Sequence, residues 1–130
     1  MVSIKTKYAV AVLVKMASDE SQSYTIKQLS EQCCVPKKYL EQILSSLRKD
    51  RLVVSTRGVN GGYQIARSAS AISVLDIALS LEQTLSFTLN YNGGSAITEF
   101  WESIDSTLKD GLMKPIDSLV KEKKVLSYTI

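Results

Sequence analysis

The chain is 130 residues long, 45% apolar and 22% charged, with a formal charge of +3. That size holds one modest core plus an appendage, and the composition is that of a folded globular chain. Histidine is absent, which removes the commonest acid–base group and metal ligand and leaves no evident catalytic or metal-binding set.

Apolar residues at Ile4, Tyr8, Val12, Leu13 and Met16 form one face of a first helix over residues 4–17. The polar stretch Ser18 to Ser23 breaks that pattern. Thr25 is the N-cap of a short second helix carrying Ile26, Leu29 and Cys33. Pro36 suits the first turn of a third helix, in which Tyr39, Leu40, Ile43, Leu44 and Leu47 keep the helical period to about Lys49. Only Cys34 and Val35 are left between the two, room for the tight turn of a helix-turn-helix whose second member is the reading helix.

Two strand-like runs follow, Leu52 to Arg57 and Tyr63 to Ala66, around the turn Gly58-Val59-Asn60-Gly61-Gly62. Such a hairpin after a helix-turn-helix is a wing. Ser73 and Asp76 make a capping box for a fourth helix through Val74, Ile77, Ala78 and Leu81. Residues 84–94 read as a linker. From Ser95 a longer helix presents the stripe Ile97, Phe100, Trp101, Ile104, Leu108 and Leu112, and Pro115 ends it. The remainder supplies one short helix around Leu119 and a basic tail.

The fold expected is mainly α with a small β-hairpin: a winged helix-turn-helix domain over 1–83, a linker over 84–94, and a long C-terminal dimerisation helix with its tail over 95–130. No run of about 20 apolar residues offers a membrane span and no secretory leader is evident, so a cytoplasmic location is expected.

Charge is concentrated where the fold would meet an anion. Lys37, Lys38, Arg48, Lys49, Arg51, Arg57 and Arg67 fall between positions 37 and 67, against only Glu41 and Asp50, while Lys5 and Lys7 lie near the start. Base edges in a major groove require hydrogen-bonding side chains flanked by cations for the phosphates. Lys37, Lys38, Glu41, Gln42 and Ser45 have the right chemistry and lie opposite the apolar face of the third helix. These residues also suit the solvated side of any amphipathic helix, and the neighbouring wing tips the balance. Within it, Arg57 precedes a glycine-rich turn that lets backbone approach a duplex while the guanidinium enters the minor groove. The candidate DNA-binding set is Lys5, Lys37, Lys38, Tyr39, Glu41, Gln42, Ser45, Arg48, Arg57, Gly58, Asn60 and Gly61. A winged helix serving protein contacts is the competing class, and it predicts no salt-sensitive DNA binding.

Cys33 and Cys34 are adjacent, a spacing that disfavours an ordinary structural disulfide. Two readings stand for these thiols: redox sensing beside the reading helix, or simple packing at the end of the second helix.

The run Val35-Pro36-Lys37-Lys38-Tyr39-Leu40-Glu41-Gln42-Ile43-Leu44-Ser45-Ser46-Leu47-Arg48-Lys49, then Leu52-Val53, Arg57-Gly58 and Gly61-Gly62-Tyr63, resembles the signature of the Rrf2 family of bacterial winged-helix regulators. Residues Lys5 to Val10 resemble the family's opening Lys-Gly-Arg-Tyr-Ala motif, with Thr6 in place of the usual glycine. The likeness is carried by residues 1 to about 83, and by the rest only in layout. It implies a homodimer joined through the long helix and two reading heads on a pseudo-palindromic operator, with repression as the commoner mode. It further implies that Lys38, Glu41 and Gln42 face bases, that Arg57 enters the minor groove, and that Tyr39 and Leu40 seat the helix.

Cluster-binding members of the family hold iron through three linker cysteines. The matching stretch here, Ser86 to Glu99, has none, so no cofactor is expected and the chain resembles the clusterless branch. Repressors of that branch end in an isoleucine that enters cysteine synthase. The chain ends Ser127-Tyr128-Thr129-Ile130, and the resemblance extends to that enzyme as a partner through Ile130.

Overall fold

The computed structural model describes residues 2–59, 61–86, 88 and 91–120. Expectations for Asn60 and for the terminal Ile130 lie outside them.

Helix α1 (Ile4–Ala17) starts at Ser3, whose hydroxyl accepts from the Thr6 N–H. It buries Thr6, Ala9, Val12, Leu13 and Met16. Ile4, expected on the apolar face, is instead exposed at the first turn, and Tyr8 is half-buried. In the first turns of α1 the inward stripe is thus carried by the smaller residues Thr6 and Ala9, and further along by Val12, Leu13 and Met16.

Helix α2 (Ile26–Cys33) is opened by Thr25 in a full capping box with Gln28, each side chain satisfying the other's backbone N–H. It closes on Cys34, left-handed at φ 55, with the Val35 N–H returning to the Ser30 carbonyl at 3.2 Å. This bonding pattern is a Schellman turn, which supplies partners to orphan carbonyls at the helix end and reverses the chain in two residues. Ser30 tightens it further, its hydroxyl donating to the Val35 carbonyl at 2.6 Å.

Helix α3 (Lys37–Lys49) begins after Pro36 and buries Leu40, Ile43, Leu44 and Leu47. Burying each such side chain stabilises the fold by about 1.5–3 kcal/mol. These residues form the floor of one core with Val12, Leu13, Met16, Leu29, Leu52 and Ile77. Truncating any of them, Leu44→Ala for example, would cost about 2–5 kcal/mol.

Strands β1 (Val53–Thr56) and β2 (Gly62–Ile65) pair antiparallel, Val53 opposite Ile65 and Thr56 opposite Gly62. Tyr24 bridges to Tyr63 on the other edge of β2, through reciprocal N–H to carbonyl bonds of 2.8 and 2.7 Å. The wing is therefore rooted in the segment before α2. A single 3-10 turn at Ala69–Ala71, which the sequence did not announce, leads to Ser73. Ser73 and Asp76 then form the expected capping box on α4 (Val74–Leu81).

Helix α5 (Ser95–Leu112) packs chiefly on α4. Beyond it the chain returns: the Val74 N–H donates to the Lys114 carbonyl and the Ile116 N–H to the Ile72 carbonyl, each at 2.9 Å. Ile116 is fully buried in the same core, and residues 116–120 are helical. No helix among the described residues is long and apolar enough to cross a membrane.

Candidate nucleic-acid interface

Outward from the core face of α3 stand Lys37, Lys38, Glu41, Gln42, Ser45, Arg48 and Lys49, all exposed. Amide, carboxylate and hydroxyl groups occupy the middle of that row and cations its two ends. No acidic residue lies in the first turn, where Lys37 and Lys38 meet the positive end of the helix dipole. Two cations in that place oppose the dipole by about 0.3–1 kcal/mol each. An anion laid across them reverses the sign of the effect, since free N–H groups and ammonium groups then act together.

Tyr39 organises this corner. Half-buried, its ring lies 6.0 Å from that of Tyr8 on α1. The Lys38 Nζ sits 5.0 Å from the Tyr39 ring centroid and the Lys5 Nζ 5.8 Å. Lys5, from the opposite end of the sequence motif, is thereby drawn to the N-terminal end of α3, both ammonium groups being attracted to the ring's negative face.

In the wing, Arg57 and Val59 are exposed and Gly58 takes φ 110, a conformation costly to any residue with a Cβ. The neighbouring glycines are required by space. A Cβ on Gly62 would lie 2.3 Å from the Tyr24 carbonyl oxygen, and one on Gly61 would lie 2.8 Å from that of Thr56. Gly61 was expected at the duplex; what the geometry gives it is a duty in closing the hairpin.

Three features of this face were not anticipated from sequence. Glu82, the residue after α4, accepts from the Ser3 N–H at 2.8 Å, the Ser3 hydroxyl at 2.7 Å and the Thr6 hydroxyl at 2.5 Å, all on Oε2. Burial acts to raise the Glu82 carboxyl, but these hydrogen bonds outweigh it and hold the group below the ordinary glutamate value. Arg67 donates from Nε and Nη2 to the carbonyls of Arg51 and Asp50, 3.3 Å each, lacing the turn after α3. Arg51 itself has φ 60. Only the Thr6 substitution in the opening motif signalled any of this.

The α5 stripe divides along its length. Ile97 and Phe100 are 50% and 54% exposed, whereas Trp101, Ile104, Leu108 and Leu112 are half-buried. Phe100 and Trp101 meet edge to face at 5.0 Å between centroids. The start of the linker is tied to the same helix, with Leu85 buried and the Ser86 hydroxyl donating to Asp105 Oδ2 at 3.1 Å.

Comparison with known proteins places this geometry. The family profile for Rrf2, iron-dependent transcriptional regulator, matches residues 2–120. The HTH-type transcriptional regulator IscR of Pectobacterium carotovorum is 30% identical over 94% of this chain and 80% of its own. The structure is similar to that of T. potens IscR (TM-score 0.82, 30% identity, 95% of this chain and 88% of the other). It is also similar to CymR, the global cysteine regulator of B. subtilis (TM-score 0.84, 27% identity, 94% and 97%).

Iron dependence in the family description raises the question of a cluster. Such clusters are held by several thiolates, and this chain has only Cys33 and Cys34. They are adjacent at the end of α2, one half-buried and one exposed. No group of three or more His, Cys, Asp or Glu gathers among the described residues. A cluster ligated by three linker cysteines does not fit this donor set.

Proposed function

From the premise that the chain belongs to the Rrf2 family of transcriptional regulators, and is thus a DNA-binding regulator and not an enzyme, we propose that it represses transcription as a homodimer on a pseudo-palindromic operator. The observation carrying this reading is the exposed row of Lys38, Glu41, Gln42 and Ser45 on α3, set beside a wing approached by exposed Arg57. Gln42 suits bidentate contact to adenine and Glu41 suits the cytosine amino group. Lys5, Lys37, Tyr39, Arg48, Gly58 and Gly61 serve the flanking phosphates, either directly or by shaping the surface that meets them.

Exposed Ile97 and Phe100 at the start of α5 support the dimer. Two copies meeting there cover apolar surface that one copy leaves wet, and place two reading helices about one helical turn of DNA apart or a multiple of it. Residues 1–83 then act as the reading head and 95–130 as the joining arm. A DNA target suits a cytoplasmic location, where bacterial DNA lies. Selection from random duplexes with the purified protein tests the reading: a two-fold-related consensus is expected, and failure to enrich any sequence overturns it.

A further inference from the structure

Arg51 occupies a backbone position that favours another residue. It follows α3 in a second Schellman turn, its N–H donating to the Arg48 carbonyl at 3.0 Å and the Leu52 N–H to the Leu47 carbonyl at 2.8 Å. At φ 60 this place is left-handed, where glycine costs least because a Cβ crowds the adjoining carbonyl. Cys34 takes the same conformation at the end of α2, so the backbone alone assigns no task, and the surroundings of the side chain decide it. The helix dipole does not provide one, because Arg48 and Lys49 already supply cations to the last turn of α3.

The surroundings indicate what the task is. Arg48, Arg51 and Arg67 line one shallow groove with Val54 and Ser55 along β1. Among the described residues no carboxylate lines it, and Asp50 and Asp76 border the neighbouring depression with Leu79 and Ser80. Arg67 is tied to the carbonyls of Asp50 and Arg51 and so braces the turn. The groove is also continuous with the reading face. Arg48 follows Ser45 and Glu41 on the exposed side of α3, and Arg57 lies just past the other end of β1.

We propose that Arg51, with Arg48, binds a DNA backbone phosphate flanking the segment read by α3, so that the contact surface runs from the N-terminal end of α3 past its C-terminal turn to the wing. The guanidinium fork matches phosphate geometry, and continuity with the reading face favours the duplex over an acidic peptide. The inference rests on the DNA-binding reading above.

Arg51→Gly separates folding from binding, because glycine relieves the left-handed strain. The full-length variant and wild type are titrated with a mixed-sequence duplex of about 30 base pairs, roughly three helical turns, over a series of salt concentrations. The expected result is a melting temperature at or above wild type with a slope of log affinity against log salt shallower by about 1. Arg51→Lys should keep the wild-type slope. An unchanged slope in Arg51→Gly overturns the proposal, and if that variant instead loses binding to a hexaglutamate peptide, the groove belongs to acidic segments. Absence of salt-dependent duplex binding in the wild type overturns the DNA-binding reading itself.

Discussion

The Thr6 hydroxyl donates to Glu82 Oε2 at 2.5 Å, joining the first turn of α1 to the residue that follows α4. Thr6 is buried, so its hydroxyl needs an acceptor, and Glu82 gains a donor that favours its charged form. The bond fixes the start of the linker against the same helix end that carries Lys5.

Thr6→Val keeps the shape and removes the donor. Breaking a hydrogen bond to a charged acceptor costs about 1.5–3 kcal/mol, to be read by urea denaturation. Glu82→Gln should show a loss of the same sign, and the double variant should lose less than the two single losses combined. Strict additivity would mean that the two residues act independently.

Acid should weaken the same link. Because the folded carboxyl lies below the ordinary value of 4.5, the unfolded chain takes up the proton first as pH falls. The contribution of Glu82 to stability is complete above that value and disappears as pH drops through the folded one. The stability difference between wild type and Glu82→Gln should shrink below about pH 4.5. A difference that stays constant down to complete protonation would contradict the depressed pKa.

Two wing glycines should respond differently to alanine. At Gly62 the new Cβ meets the Tyr24 carbonyl, backbone against backbone, so the hairpin must leave its root. At Gly58 the space is open and only the positive φ is strained. Gly62→Ala should therefore cost about 1–3 kcal/mol of stability and Gly58→Ala less, near 1 kcal/mol. Thermal melts showing the reverse order would refute the assignment.

On a selected operator, Arg57→Ala should weaken binding by about 1–3 kcal/mol. Gln42→Ala should relax the preference at one base position while changing the salt slope little. Wild-type affinity in Arg57→Ala, measured by fluorescence anisotropy, would remove the wing from the interface.

Phe100→Asp tests the joining arm. A charge at an apolar contact must be desolvated on association, so wild type should sediment as a dimer and the variant, at the same concentration, as a monomer. Its secondary structure should persist, since Phe100 is 54% exposed in the single chain. Unaltered dimerisation would show that another surface joins the subunits.

Much of the fold was legible because local chemistry and tertiary packing agree. Thr25 and Ser73 are caps, Leu40, Ile43, Leu44 and Leu47 face one way, and Gly58 to Gly62 mark a turn, all on short-range rules. The outward residues of α3 follow by subtraction from its buried ones. Relations depending on distant backbone stayed hidden. Nothing near Gly62 names Tyr24 as its neighbour, and Glu82 lies far along the chain from Ser3 and Thr6. Arg51 shows a further limit: a left-handed turn after α3 would be announced by glycine, and arginine conceals it. Ile4 was misassigned because helical period alone cannot say which apolar residue at a terminus has a neighbour to cover it.

The reciprocal bonds between Tyr24 and Tyr63 carry a consequence for the choice of target. Since the hairpin is stitched to the segment that leads into α2, the distance from Gln42 to Arg57 within one subunit is settled when the chain folds. If α3 and the wing read DNA as proposed, a site one base pair too long or too short cannot be accommodated by swinging the wing. The duplex would then have to twist or bend to be read, and sequences that deform cheaply would gain affinity at positions no side chain touches.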